Sequence, residues 1–179
     1  LLFSPIIQVR EIKVTRLSPR LDIEEVQNTL SSLFGRHLFF LSSFEVTSLL
    51  EQSITDIETV SIGKEYSSVL HVRIALQPLV ARLRIIEPDD IDMPLGTGST
   101  TDYVTEEGVY VTTTAAKDTQ VLPEILIVDW GVRPVPGSLL IIPAFIERMN
   151  AAEIAFLRQF GQEVERRTVF VRAQEFHLR

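Results

Sequence analysis

The sequence predicts an α+β fold in two parts, and three observations carry that prediction. From Ile12 to Leu83 the hydropathy pattern passes from alternation to helical spacing and back, giving the order β-α-α-β-β. A loop-like stretch, Glu87 to Asp102, carries Glu87-Pro88-Asp89-Asp90 and Gly96-Thr97-Gly98-Ser99. After it come short apolar segments and one helical pattern, expected to form a small mixed α/β domain with an antiparallel sheet. The expected boundaries are 1–86 for the first domain, 87–102 for the linker and 103–179 for the second.

Gln8 to Arg16 alternates, with Ile12 and Val14 on one face, so it predicts a half-buried strand ended by Ser18-Pro19. Ile23, Val26, Leu30, Leu33 and Phe34 form one helical stripe. Asp22 is placed to cap that helix, Glu24 and Glu25 sit at the positive end of its dipole, and Gly35 stops it. Leu38-Phe39-Phe40-Leu41 reads as a buried connector. Ser42-x-x-Glu45 is a capping box opening a second helix, with Phe44, Leu49 and Leu50 apolar. Ile57, Val60 and Ile62, then Val69, Val72 and Ile74, predict two strands around a turn at Gly63–Ser68.

In the second part, Tyr103-Val104 and Val109-Tyr110-Val111 flank Glu106-Glu107-Gly108, a hairpin signal with glycine supplying positive φ. Ile125-Leu126-Ile127-Val128 reads as a short buried strand. A helix is expected from Pro143 to Phe160, stopped by Gly161, with Phe145, Met149, Ala152, Phe156 and Phe160 on its core face. Val164–Arg172 and Gln174–Arg179 predict two last strands.

Composition narrows the function classes. With 45% hydrophobic and 23% charged residues the chain is globular. A formal charge of -7 disfavours nucleic acid, which needs a basic face, and disfavours binding to anionic lipid through a basic patch. The absence of cysteine excludes disulfides, thiolate catalysis and cysteine-based metal sites. No run of about 18 apolar residues is present, so no membrane span lies inside the sequence. Leu1-Leu2-Phe3 reads either as the tail of a removed apolar segment or as part of the first element.

No constellation with catalytic spacing appears. His37, His71 and His177 are far apart and lack metal-ligand spacing, which predicts surface or turn roles. Glu87, Asp89, Asp90 and Asp92 supply oxygen ligands but not the pattern of a calcium loop. Gly96-x-Gly98-Ser99 is followed by neither a Gly-Lys-Ser/Thr nor a helix that would present a nucleophile. The expectation is therefore a non-enzymatic protein with no cofactor, no metal and no small-molecule substrate. The C-terminal segment differs, because Arg166, Arg167, Arg172 and Arg179 interleave with Val169, Val171, Phe176 and Leu178 in an otherwise acidic chain. Two readings stay open for it, a solvated strand face and an exposed sheet edge that accepts a partner's strand.

The β-α-α-β-β order, together with Val72-Arg73-Ile74 and Pro78-Leu79-Val80-Ala81, resembles a POTRA domain. The segments from Tyr103 to Val111 and at Leu122-Pro123 are similar to the second, β domain of the FtsQ/DivIB family of bacterial cell-division proteins. The chain departs from the family pattern at Leu17-Ser18-Pro19, Ser67 and Leu76-Gln77. The resemblance implies a non-enzymatic scaffold of the divisome, the extracytoplasmic part of a single-span membrane protein at the division septum, anchored by an N-terminal span that has been removed. It implies FtsB- and FtsL-like partners, bound largely by pairing a partner strand with the last strands of the β domain, which in the family continues for several strands past the equivalent of Arg179. On that basis Arg172, Phe176 and Arg179 are the expected partner-facing residues. The alternative is a POTRA-containing assembly or secretion factor that docks partner strands by β-augmentation.

Overall fold

A computed structural model describes residues 7–66, 68–86, 100–114, 122–128 and 134–179. These residues form a mixed α+β protein with three α-helices and two mixed sheets. The chain divides into two compact units, Leu1–Gln77 and Pro78–Arg179.

The first unit runs β1 (Glu11–Arg16), α1 (Ile23–Leu30), α2 (Ser43–Ser53), β2 (Ile57–Glu65) and β3 (Val69–Leu76). The sheet order is β1-β3-β2, with β1 parallel and β2 antiparallel to the central β3. Register places Ile12 and Val14 beside Leu70 and Val72, and Ile62 and Val60 beside Val72 and Ile74. Those residues share one face, because side chains alternate along a strand. Val26 and Leu30 of α1 and Val46 and Leu50 of α2 are buried in the same cluster. The capping signals are realised: Asp22 accepts from the amides of Glu24 and Glu25, and Ser42 from that of Glu45.

Four details differ from expectation. The helix drawn to Gly35 stops at Leu30; a 3-10 turn, Ser31–Leu33, follows, and Phe34 leaves it extended and exposed. The amide of Gly35 donates to the Val9 carbonyl at 2.9 Å and that of Val9 to the Arg36 carbonyl at 2.9 Å, so a remote segment takes the groups that would continue the helix. The connector is buried only at Leu38 and Leu41; Phe39 and Phe40 are 71% and 67% exposed. Phe44 is exposed as well, while Val46 and Leu50 fill the core instead. The turn before β3 is tighter than expected, since β2 runs on through Gly63 to Glu65.

The unit boundary also falls earlier than the expected linker at 87–102. The strand β4 (Leu79–Ile86), expected in the first domain, belongs to the second sheet. Both sides of β3 are already paired, so β4 has no ladder position beside it, and Pro78 lacks the N–H that would extend the pairing.

The second unit adds β5 (Thr100–Thr105), β6 (Tyr110–Thr114), β7 (Glu124–Val128), α3 (Pro143–Phe160), β8 (Arg167–Phe170) and β9 (Glu175–Leu178). Its order is β6-β5-β4-β7-β8-β9. The expected antiparallel sheet is mixed, because β7 runs parallel to both β4 and β8. The connection from β7 to β8 carries α3, and such a crossover returns the chain to the starting end of the sheet. Ile125, Leu126, Ile127 and Val128 are all buried, as a central parallel strand covered on both faces requires. The Glu106–Gly108 turn closes the β5–β6 hairpin with Gly108 at φ 78°, and the Gly108 carbonyl accepts from Leu140 and Ile141 at 2.8 and 3.2 Å.

In α3, Pro143 opens the helix and Gly161, at φ 67°, ends it. Its expected core face is only half realised. Phe145, Ile146 and Met149 are buried, whereas Phe160 is exposed and Phe156 packs its ring on Phe160 at 4.9 Å. An 18-residue helix is about 27 Å long, whereas the four-residue strands β8 and β9 run about 13 Å, so the helix outruns them.

Candidate functional site

The C-terminal strand β9 is the last in its sheet among the described residues. Its backbone pattern fixes which groups face outward. Arg179 and Arg166 exchange N–H···O bonds of 3.0 Å, which makes them a hydrogen-bonded pair of the antiparallel ladder. Register then makes Thr168 and His177 a bonded pair as well, and Val169 and Phe176, like Arg167 and Leu178, non-bonded pairs. The N–H and C=O groups of Phe176 and Leu178 therefore point away from β8, at the open edge. These are the groups that would receive an added strand.

Side chains sort by the same alternation. Arg167, Val169, Phe176 and Leu178 share one face, beneath α3. On it Arg167 forms an ion pair with Glu153 of α3, with Nε donating to Oε2 at 2.8 Å. The Phe176 ring meets Phe145 edge to face at 5.5 Å, and Phe176 packs on the core. Arg166, His177 and Arg179 lie on the other face, where the His177 ring packs on Phe170 at 4.9 Å. Arg172 is exposed in the turn between β8 and β9, where Gln174 holds φ at 54°.

The expected partner-facing residues are thus separated by role. Arg172 and Arg179 are exposed at the two ends of β9, while Phe176 turns its ring inward and offers its backbone. One of the four arginines, Arg167, is committed to Glu153. The ion pair was hidden from sequence because Glu153 and Arg167 sit on different elements; the i+14 spacing gives no signal. Beside the turn a small apolar cleft of ≈ 80 Å³ is lined by Leu140, Ile142, Phe145, Val169, Val171 and Gln174.

The histidines occupy surface and turn positions. Nδ1 of His37 accepts from the amide of Phe39 at 3.3 Å, and its ring packs on Phe40 at 4.8 Å. His71 lies on the open face of the first sheet, 2.6 Å from the carboxylate of Glu65. That hydrogen bond, with Lys13 nearby, holds Glu65 below its ordinary value of 4.5. Among the described residues no group of three or more His, Asp or Glu side chains is arranged to hold a metal ion. The acidic residues Glu87, Asp89, Asp90 and Asp92, and Gly96–Ser99, lie outside the described residues, as do Leu1–Phe3. No described helix is long and apolar enough to cross a membrane. No protein-family model matches the chain, and no curated protein matches it.

Proposed function

We propose that this chain is a non-enzymatic docking protein of the FtsQ/DivIB type, an extracytoplasmic division scaffold whose first unit is a POTRA domain. The β-α-α-β-β order of the first unit, folded as a three-stranded mixed sheet with β3 central and two helices on one face, supports the POTRA reading. The observation that carries the docking role is the open edge of β9, with the backbone of Phe176 and Leu178 turned outward and Arg172 and Arg179 at its ends. An added partner strand gains backbone hydrogen bonds along that edge, the cleft beside Val171 takes one apolar side chain, and the arginines favour an acidic partner. The partners proposed are FtsB- and FtsL-like division proteins, and the proposed location is the outer side of the cell membrane at the septum.

Calorimetric titration against the extracytoplasmic part of an FtsB–FtsL pair tests the reading, with the chain ending at Arg179 and with the chain extended to its natural C-terminus. Binding at micromolar affinity or better by the extended chain is the expected result, and no binding overturns the division role. Loss of binding on cutting back to Arg179 places the main contact in later strands. Retained binding places it on β9. In that case Leu178→Pro, which removes an outward-facing N–H, weakens it by about tenfold or more, whereas Leu178→Ala, which removes the packing of the same side chain on the core and keeps that N–H, leaves it within about threefold. Arg172→Glu weakens it comparably by reversing the charge at the edge; unchanged affinity removes Arg172 from the interface.

A further inference from the structure

The outward face of α3 carries a charge pattern that complements itself. Glu147, Ala151, Ile154 and Arg158 follow one another at steps of four, three and four, so they fall within about 60° of one another around the helix. Phe145 and Met149, which face the core, lie about 170° away on the same wheel. All four residues of the stripe are exposed, Ile154 at 51%.

The two charges of the stripe are not used within the molecule. Neither Glu147 nor Arg158 forms an ion pair with a described residue. Three and four positions away, Glu147 has Pro143, Ala144, Asn150 and Ala151, and Arg158 has Ile154, Ala155, Gly161 and Gln162, so neither meets an opposite charge on its own helix. The other charges of α3 behave differently. Glu153 is paired with Arg167, and the Arg148 guanidinium lies 5.4 Å from the centre of the Phe145 ring. Glu147 and Arg158 stand about 16 Å apart along the axis, too far to meet each other in one copy.

We propose that this stripe is a homotypic contact, on which α3 of a second copy of this chain packs antiparallel about a two-fold axis midway between Ala151 and Ile154. In that register Glu147 of each copy faces the partner's Arg158, and Ile154 of each covers the partner's Ala151. Read in reverse, the stripe offers a cation, a large apolar group, a small one and an anion, which is the complement of itself; hence the occupant is a second copy. A parallel pair would set Glu147 beside Glu147 and Arg158 beside Arg158, so charge selects the antiparallel arrangement. Alanine opposite isoleucine lets the axes approach to about 8–9 Å. Every contact occurs twice by symmetry, yet only one helical stripe is buried on each side, which places the dimer in the weak, transient class. The stripe faces away from the sheet, and the inference does not rest on the docking role of β9.

Sedimentation equilibrium of the whole chain tests it. The parent is expected to approach the mass of two chains, with half association at roughly 0.1–1 mM. Glu147→Arg and Arg158→Glu each replace two attractive contacts by two repulsive ones, and each is expected to associate about tenfold more weakly or less. An equimolar mixture of the two variants restores both pairs in a heterodimer and is expected to recover to within about threefold of the parent. Because neither side chain reaches the core, both variants are expected to keep the parent's urea midpoint. A parent that stays monomeric up to about 1 mM overturns the inference. So do single variants that associate like the parent, or a mixture that associates no better than its components. Leu178→Pro, which blocks pairing between two β9 edges, is expected to dimerise as the parent does; loss there with association retained in Glu147→Arg places the contact on β9 and overturns the inference as well. Glu147→Arg is expected to bind the FtsB–FtsL pair unchanged, so failure of the docking reading and failure of this one are read separately.

Discussion

Two glycines show how much the surroundings of one residue decide. Gly35 and Gly108 both hold φ at 78°. A Cβ on Gly35 meets nothing within 4 Å, whereas one on Gly108 falls 1.6 Å from the carbonyl oxygen of Ile141. Gly35→Ala is therefore expected to cost only the left-handed backbone term, about 1–2 kcal/mol. Gly108→Ala adds a backbone collision that no rotamer relieves, and is expected to prevent the hairpin from seating on the Leu140–Ile141 segment. Urea unfolding of the two variants separates these outcomes; similar midpoints would contradict the geometry. Arg20 makes the same point for charge. Its guanidinium donates to the buried carboxylate of Asp56 and to the carbonyl of Gln77, tying the loop after β1 to the start of β2 and the end of β3. Arg20→Ala leaves that carboxylate buried without its cation, at an expected cost of about 3–5 kcal/mol in the same assay. Glu65 acts more weakly, because its carboxylate lies at the solvent-exposed surface. Its folded value lies below its unfolded one, so the stability it adds is complete above about pH 4.5 and fades as pH falls through the depressed value. In Glu65→Gln that acid-side loss should shrink, as read from urea midpoints across the acid range.

Among the elements, α3 carries the sharpest internal contrast. Its residues follow one helical period throughout, yet only the first half is covered. Phe145→Ala is expected to cost about 3–5 kcal/mol, because it empties the site where Phe176, Ile146 and Met149 pack. Phe160→Ala is expected to shift stability by about 0.5 kcal/mol or less, since its ring faces solvent. Thermal unfolding of the pair checks this, and equal losses would mean the far half of the helix is covered too. The strand β9 shows a related division between backbone and side chain. Phe176, expected to face a partner, packs its ring on the core, and only its backbone N–H and C=O point outward. A single strand cannot reveal which of its faces is covered; the position of α3 decides that.

At the scale of the whole molecule, the two cores share no residue among those described: the buried members of the first lie between Val9 and Leu76, those of the second between Ala81 and Val169. Leu50→Ala is accordingly expected to lower amide-exchange protection in β2 and β3, by the cavity it opens under that sheet. Unchanged protection there would mean that α2 contributes little to that core. The features readable from neighbouring residues were local ones. Alternation placed Ile12 and Val14, Asp22 and Ser42 capped their helices, Gly108 and Gly161 turned the chain, and the apolar run at Ile125 marked a buried strand. Each of those depends on residues within a few positions, where backbone sterics and nearby hydrogen bonds dominate. Partnership between elements was settled by packing. It put β4 in the second sheet and made that sheet mixed, left Phe39, Phe40 and Phe44 outside, and paired Arg167 with Glu153. Those outcomes turn on which surfaces remain unsatisfied once the neighbouring elements have packed, and no spacing along the chain encodes that directly.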